Sequence, residues 1–284
     1  MRSLIRLVGW LSLAAVSAPG QGFEVVSVKA SSPGAIAIRC DGGPGTHDPG
    51  LWTCSNVPLG FLIYTAYGLQ PYQFRPTDPC CQGRFDVMAR VPEGTTKEQF
   101  LRMQQTMLEE RFRLKLHREQ KEMPVYELGL GENGTKLKAS AADAAPARQD
   151  PWEIPEYTMG KDGYPEFPAG RGGVAGGNGH YRWSERNLPM AEIVKTLSFH
   201  LGRPVIDRTG LKGNYDVEMR WTVDVAWLLE RAGRRDEIGE LPDSGPAGPT
   251  LARAIQDQLG LKLISKKGPG DVVVIDHVEK VPIN

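Results

Sequence analysis

Two similar cassettes constrain the fold of this chain more than any other feature of its sequence. One is NVPLGFLIYTAYG, from Asn56 to Gly68, and the other is NLPMAEIVKTLSFHLG, from Asn187 to Gly202. Each has apolar residues at helical spacing, which predicts a short amphipathic helix. Pro follows Asn at the start and Gly stands at the end, as is common at helix boundaries. The cassettes therefore predict two helices in equivalent settings.

Further blocks repeat around these cassettes in the same order. The pairs are FDVMARV with YDVEMRW, RFRLKLH with QLGLKLI, and VYELGL with VVVIDH, starting at Phe85 and Tyr215, Arg111 and Gln258, and Val125 and Val272. A fixed order of similar blocks is the mark of an internal repeat. We therefore interpret the chain as two related halves that arose by internal duplication.

The local patterns give each half an order of elements. In the first half, Thr95 and Glu98 have the spacing of a capping box and predict the start of a second helix. Its counterpart runs from about Thr250 to Leu259, and β-branched or alternating runs follow both helices. Each half is predicted as strand, helix, strand, strand, helix, strand, strand, and the fold class is α+β.

The composition divides the chain into segments. Residues 1–20 have Arg2 and Arg6 before a short apolar run, which predicts a secretory signal peptide because the run is shorter than a membrane span. The first half is predicted at 21–138 and the second at 180–284, with a surface insert near 231–249. Between them, 139–179 is rich in Pro and Gly and is predicted to be a linker or long loop. We expect a protein that is not integral to a membrane once the signal is cleaved.

Export would place the four cysteines in an oxidising compartment, where disulfides are expected. They are Cys40, Cys54, Cys80 and Cys81. Either Cys40 pairs with Cys54, leaving the adjacent Cys80 and Cys81 as thiols or as a vicinal bridge, or the two pairs are crossed. Spacing alone does not choose between these pairings.

The charges and motifs exclude some classes of function. Basic and acidic residues both number 34, so no overall positive charge favours a nucleic acid partner. Phosphate-binding, nucleophile-elbow and zinc motifs are absent, and we expect no cofactor and no metal. One speculative cluster is a candidate functional site: His200, Arg203 and Asp207 around GRPVIDRTG, together with His277. The alternative for Asp207 is a local turn with Thr209.

The blocks quoted above, with FEVVSVKASSPG at Phe23 and CDGGPGTHDPG at Cys40, resemble a family of uncharacterised secreted proteins abundant in soil bacteria. The resemblance spans nearly the whole mature chain and implies no established activity. Some members are similar to extracellular tails of membrane metallopeptidases of the antibiotic-sensing type, whose HExxH motif this chain lacks. Each half is more remotely similar to the short N-terminal domain of secretins and TonB-dependent receptors, which implies a periplasmic, cofactor-free domain that contacts other proteins.

These observations favour an exported, non-enzymatic module that binds an envelope or extracellular protein, or signals through one. It would be secreted or periplasmic, and it would act by strand addition at a sheet edge or through a helix face. Two alternatives stay open. One is an extracellular hydrolase with a site between the halves, built from residues such as His200, Asp207 and His277. The other is a structural protein of the envelope or matrix.

Overall fold

The computed structural model describes residues 22–32, 39–74, 81, 83–141, 156–223 and 248–280. These residues divide into two compact units. The first falls within Met1–Leu69, Arg75–His117 and Val274–Asn284, and the second within Gln70–Phe74 and Arg118–Val273. Both units combine helices with sheets, so the predicted α+β class is confirmed.

The first unit contains a four-stranded antiparallel sheet with the order β1-β4-β3-β2. Its elements are β1 (Val25–Ala30), β2 (Arg39–Gly42), β3 (Leu51–Pro58), α1 (Leu59–Ala66), β4 (Arg84–Arg90) and α2 (Lys97–Phe112). Alternate residues of β4 are buried, beginning with Phe85, because successive side chains of a strand point to opposite faces. Phe85 lies edge-on to Phe112 of α2, and Trp52 of β3 lies edge-on to Phe100, with ring centroids 4.9 and 5.5 Å apart. The buried face of this sheet is therefore its inner face, against α2.

The start of α2 differs by one residue from the prediction. Thr96, rather than Thr95, is the N-cap: its hydroxyl accepts the N–H of Gln99, and the Gln99 side chain accepts the N–H of Thr96 at 2.8 Å. The hydroxyl of Thr95 instead donates to the carbonyl of Pro92 at 2.6 Å. The capping box of Thr95 with Glu98 was wrong: the Thr95 hydroxyl binds the Pro92 carbonyl, and the next residue, Thr96, forms the box with Gln99 instead.

The second unit repeats this arrangement with a sheet of order β6-β12-β10-β9. Its elements are β6 (Lys138–Ala139), β7 (Thr158–Met159), β8 (Pro165–Glu166), β9 (Gly173–Gly177), β10 (His180–Pro189), α3 (Met190–Leu201), β11 (Val205–Asp207), β12 (Asn214–Thr222) and α4 (Leu251–Leu259). Trp183 and Trp221 are completely buried with Ile193 of α3 and Ile255 of α4. The inner face of this sheet therefore packs against both helices.

Two long strands complete the described elements. They are β5 (Lys115–Leu130) and β13 (Leu261–His277), and with β11 they form a sheet of order β11-β5-β13. Each long strand contributes residues to both units, because the division falls after His117 in β5 and after Val273 in β13. The pair of strands predicted at the end of each half is thus one continuous strand of 16 or 17 residues.

Both four-stranded sheets carry a β-bulge at the Asn of the repeated cassette. The register of β3 against β4 shifts between Cys54 and Val57, and Asn56 has φ 53°. In the second sheet the register shifts between Glu185 and Leu188, and Asn187 has φ 59°. A positive φ is uncommon outside glycine, and Asn adopts it more readily than most residues. The Asn-x-Pro triplet therefore encodes a bulge followed directly by a helix.

An Asp on the neighbouring strand holds each bulge. Asp86 accepts the N–H of Asn56 at 2.8 Å and the Ser31 hydroxyl at 2.7 Å. Asp216 accepts the N–H of Asn187 at 3.2 Å and the Ser140 hydroxyl at 2.5 Å. Hydrogen bonds from the Asn56 N–H and from Ser31 keep the pKa of Asp86 below its ordinary value.

The described part of the predicted linker is structured. Within 156–179, β9 pairs with β10, and β7 pairs with β8 in a separate hairpin. Gly and Pro content suggested a loop because these strands are short and lack apolar alternation. The predicted signal peptide and all of the 231–249 insert except its last two residues lie outside the described residues, and the predicted domain boundaries stay predictions.

Candidate functional site

The candidate site is the face of the first sheet that points away from the helices, which we call the first outer face. Its residues alternate with the buried ones along each strand. They are Val25, Ser27 and Lys29 on β1, Arg39 and Asp41 on β2, Leu51, Thr53 and Ser55 on β3, and Arg84, Asp86, Met88 and Arg90 on β4. This face belongs to a flat array of strands rather than to a pocket.

Apolar side chains lie at the end of the first outer face where β4 finishes. Met88 is 58% exposed and Val25 is 61% exposed. In the strand register Val25 lies opposite Arg90, and Leu51 lies opposite Arg90 on the other side, so both are diagonal neighbours of Met88. Met88, Val25 and the half-buried Leu51 thus form a small apolar group around Arg90.

The charged groups of this face are mostly basic. Lys29, Arg39, Arg84 and Arg90 stand against Asp41 and Asp86. Arg39 lies 3.6 Å from the carboxylate of Asp41, and Arg84 donates to the carbonyl of Asn56 at 3.0 Å. The guanidinium of Arg90 forms no hydrogen bond or ion pair with the residues that the structure describes. The side chain of Arg90 is exposed.

The corresponding face of the second sheet is covered by the chain itself. This second outer face comprises His180, Arg182 and Ser184 on β10 and Asp216, Glu218, Arg220 and Thr222 on β12. Residues 157–168, which include β7 and β8 and which we call the cover hairpin, pack on it. His180 is consequently buried, with its ring 4.8 Å from the ring of Tyr164.

Arginine side chains of the second outer face hold the cover hairpin. Arg220 makes an ion pair with Asp162 at 2.6 Å, and its guanidinium also lies over the Tyr164 ring at 5.6 Å from the centroid. Arg182 lies over the Phe167 ring at 6.0 Å. One arginine thus binds a carboxylate and an aromatic ring at once, which its planar group permits.

The strand registers show that Arg90 and Arg220 occupy equivalent positions. After each bulge Val57 pairs with Phe85, and Leu188 pairs with Tyr215. Arg90 follows Phe85 by five residues, as Arg220 follows Tyr215. The exposed arginine of the first sheet therefore matches the one that holds the cover hairpin on the second.

The three residues of the speculative cluster that lie in the second unit have separate local roles. His200, at the end of α3, has its ring 5.2 Å from that of Trp221 and 6.1 Å from that of Tyr181. Its accessible surface makes it only partly buried, but the surrounding rings exclude water, and this desolvation lowers its pKa to about 4. Arg203 lies over the Tyr126 ring at 5.4 Å. Asp207 accepts the N–H and the hydroxyl of Thr209 at 2.8 and 2.7 Å, as in the alternative local turn.

His277 belongs to the first unit. It lies 4.0 Å from Glu279, while its neighbour Asp276 contacts Nδ1 of His117 on β5 at 2.8 Å. The sequence did not identify His117 as a partner of Asp276, since the pairing of two strands distant in the chain creates the contact. Both side chains of this pair are exposed. The pair is a candidate ion pair at the surface, and His277 itself lines an open cleft beside α2.

One open cleft of about 820 Å³ lies in the first unit beside α2. Its lining mixes Arg102, Glu109 and Arg113 with Tyr67. Burial and the neighbouring Glu109 raise the pKa of Tyr67 to about 12. Charges of both signs line the cleft, so no single class of ligand is indicated. Within the described ranges, no three His, Cys, Asp or Glu side chains converge to hold a metal ion.

The cysteines resolve part of the disulfide question. Cys40 and Cys54 form a disulfide that joins β2 to β3, where the two residues are direct partners. The crossed pairings are therefore wrong, and the first alternative is confirmed for this pair. Cys81 is buried, and Cys80 lies outside the described residues.

The sequence reasoning missed the first outer face, although a signal was present. Apolar and other residues alternate in FDVMARV. Met88 occupies the position that Glu218 occupies in the matching strand YDVEMRW. A methionine in the polar half of an alternating strand indicates exposed apolar surface. The cover hairpin had no comparable signal.

The fold and these faces define a class: an α+β protein of two similar sheet-and-helix units with one covered and one open outer face. The chain belongs to the family described as a protein of unknown function (DUF3738), whose model matches residues 61–278. Comparisons with curated proteins and with solved structures found no match. Among the described residues, no helix has the length and apolar character needed to cross a membrane.

Proposed function

We propose that this protein is an exported, non-enzymatic binding module that contacts a protein of the cell envelope or extracellular space through its first outer face. The observation that carries this proposal is the exposure of Met88 and Val25 around an arginine without a charged partner in the described residues. The equivalent face of the second unit is covered by a hairpin. A sheet face of this kind is stabilised when a partner buries it.

The energetics favour contact through the face rather than through a pocket. Burying a Met or Val side chain that is exposed in the free protein contributes roughly 1 to 2 kcal/mol each. Arg90 adds specificity, because a partner without a matching group would leave the guanidinium desolvated and unpaired. The proposal does not depend on a catalytic group. His200 and Asp207 make separate local contacts, and His277 lines a cleft whose charges of both signs indicate no single class of ligand.

We also propose that the two units descend from one duplicated ancestor. Matching strand orders, bulges at Asn56 and Asn187, and the hydrogen bonds of Asp86 and Asp216 support this view. After duplication, one copy retained or acquired a cover for its outer face and the other kept its face open. The open copy is then the one specialised for a partner.

Export is proposed from residues 1–20 and is supported by the disulfide between Cys40 and Cys54. The test is mass spectrometry of the protein from its native host. The expected result is a chain that begins near Gln21, recovered outside the cytoplasm, with Cys40 and Cys54 resistant to alkylation until reduced. An intact N-terminus on cytoplasmic protein with both thiols reactive would contradict export.

The binding proposal is tested by photocrosslinking in the native host. A photoreactive amino acid replaces Met88 in one variant and Ile264, which is also exposed but lies on β13, in a control. We expect position 88 to crosslink to a defined envelope or extracellular protein, and Val25→Lys to reduce the yield. Position 264 should not give that product. Equal products from both positions, or none from position 88 in a folded protein, would contradict the proposal.

A further inference from the structure

We propose that the first outer face binds an extended or hairpin segment of its partner that carries an aromatic side chain close to a carboxylate. This inference rests on the proposed function and names the chemistry of the partner. The second unit supplies the pattern, because its cover hairpin presents Asp162 and Tyr164 to Arg220. The first unit presents an equivalent arginine, and none of the described residues forms such a hairpin over it.

The first step of the argument is the chemistry of the shared arginine. Arg220 uses the edge of its guanidinium for Asp162 and the face for Tyr164, so both donors and π-surface are occupied. Arg90 has the same strand position and is exposed. A segment that offers a carboxylate and an aromatic ring two residues apart can occupy both surfaces of Arg90 in the same way.

The second step is the difference between the two faces. Met88 stands where the second sheet has Glu218, and Leu51 stands where it has Arg182. The first outer face is thus more apolar beside its arginine than the second. A partner of this face should therefore add an aliphatic or aromatic side chain, which the flexible Met88 can accommodate.

The third step is charge. Four basic and two acidic residues give the first outer face a positive excess, which favours an acidic segment and speeds its approach. A second copy of this chain is disfavoured as the occupant, because a two-fold contact through this face would bring together two surfaces with the same positive excess.

The chain itself supplies a suitable probe. A synthetic peptide with the sequence of residues 156–168, EYTMGKDGYPEFP, carries Asp162 and Tyr164 and three acidic residues against one basic residue. It is titrated into the chain with labelled methionine methyl groups and followed by NMR. The control peptide carries Asp162→Asn and Tyr164→Ser. The control protein is Arg118→Gln, which removes an exposed arginine from β5 instead of the first outer face.

The expected result is a saturable shift of the Met88 methyl signal. Arg90→Gln should weaken binding of the peptide at least fivefold, Arg118→Gln should not change it, and the control peptide should bind at least fivefold more weakly. No shift at Met88, or equal binding of both peptides, would overturn the inference. So would a shift confined to Met159, which lies in the cover hairpin, since the peptide would then have displaced that hairpin from the second unit.

The remaining outcomes separate this inference from the proposed function. A partner crosslinked at position 88 without any binding of the peptide would overturn the inference and leave the proposed function standing. Peptide binding without a crosslinked protein would support the inference and contradict the proposed function. A Met88 signal that changes with protein concentration alone would assign the face to a second copy and overturn the inference. A crosslink from position 88 to the same chain would do so too.

Discussion

The two outer faces differ more than the two inner faces. On the inner faces, Trp52 follows Leu51 and Trp183 follows Arg182 at equivalent positions of matching strands. Both Trp side chains are buried. Outside, one face carries Met88 beside Arg90, whereas the other carries Glu218 beside Arg220, and the cover hairpin packs on Arg220. The comparison teaches that packing against helices fixes the inner chemistry in both units, whereas the outer chemistry follows from what covers the sheet.

The largest expected effect concerns the buried inner faces, which are similar in the two units. Trp52→Ala and Trp183→Ala should each lower the free energy of unfolding by about 3 to 5 kcal/mol, because each leaves a large cavity. Urea unfolding followed by circular dichroism measures the change. The matched Trp→Phe variants should lose less of the free energy of unfolding. A cost below about 1 kcal/mol for either Ala variant would show that the inner faces are not equivalent.

The second test uses acid, to which the second unit should be more sensitive. The pKa of His200 is lowered to about 4, so the unfolded chain binds a proton more readily than the folded chain between about pH 6.5 and pH 4. Stability from this group is therefore complete above pH 6.5 and is lost as the pH falls, by roughly 2 to 3 kcal/mol. We expect His200→Phe to remove this part of the loss of stability at low pH.

Thermal melts of wild type and His200→Phe from pH 7.5 to 4 measure the difference. His277→Asn is the control, because its side chain is exposed. Parallel declines for wild type and His200→Phe would mean that the folded protein protonates His200 as easily as the unfolded chain.

The third test compares the covered and open faces directly. Tyr164→Ala should destabilise the protein by about 1 to 2 kcal/mol, since the ring contacts both His180 and Arg220. Met88→Ala should change stability by no more than about 0.5 kcal/mol, because Met88 is exposed. Chemical denaturation provides both values. A similar loss in both variants would indicate that the first outer face is already covered in solution.

The smallest expected effect concerns the bulges. Asp86→Asn and Asp216→Asn should each cost about 1 kcal/mol, because each weakens hydrogen bonds to a bulge and to a serine. The pKa of Asp86 is lowered in the folded protein, so its contribution is present above the unfolded pKa and lost as the pH falls through the folded one. Denaturation at pH 7 and pH 3 should show a smaller cost of Asp86→Asn at pH 3 than at pH 7. An equal loss of stability at both pH values would exclude the negative charge of Asp86 as the source of the effect.

The sequence predicted elements that depend on neighbours in the chain. Helices α1, α3 and α4 follow from their apolar spacing, and Gly202 ends α3 with φ 62°, as its position after the helix suggests. The predicted cap of α2, Thr95, was wrong by one residue. It failed because the reciprocal partner was Gln99, which the Thr95 pattern did not consider.

Features that depend on distant residues could not be predicted. The contact of His117 with Asp276 requires the alignment of β5 with β13. The cover hairpin is stabilised by Arg182 and Arg220 rather than by its own apolar pattern, so its sequence resembled a linker. The alternation in FDVMARV was enough to predict that Met88 is exposed. Recognising it as part of a binding face required knowing which face of the sheet the helices cover.

The final strand has a consequence for how the chain is made. Residues 274–280 belong to the first unit, where Glu279 donates its N–H to the carbonyl of Phe112 at 2.7 Å and Asp276 contacts His117. The first unit is completed by residues that follow the whole of the second unit in the sequence. It therefore cannot finish folding until the second unit has been synthesised, and contacts across more than 150 residues make that step slow. Truncation near the C-terminus should therefore damage the N-terminal unit as well.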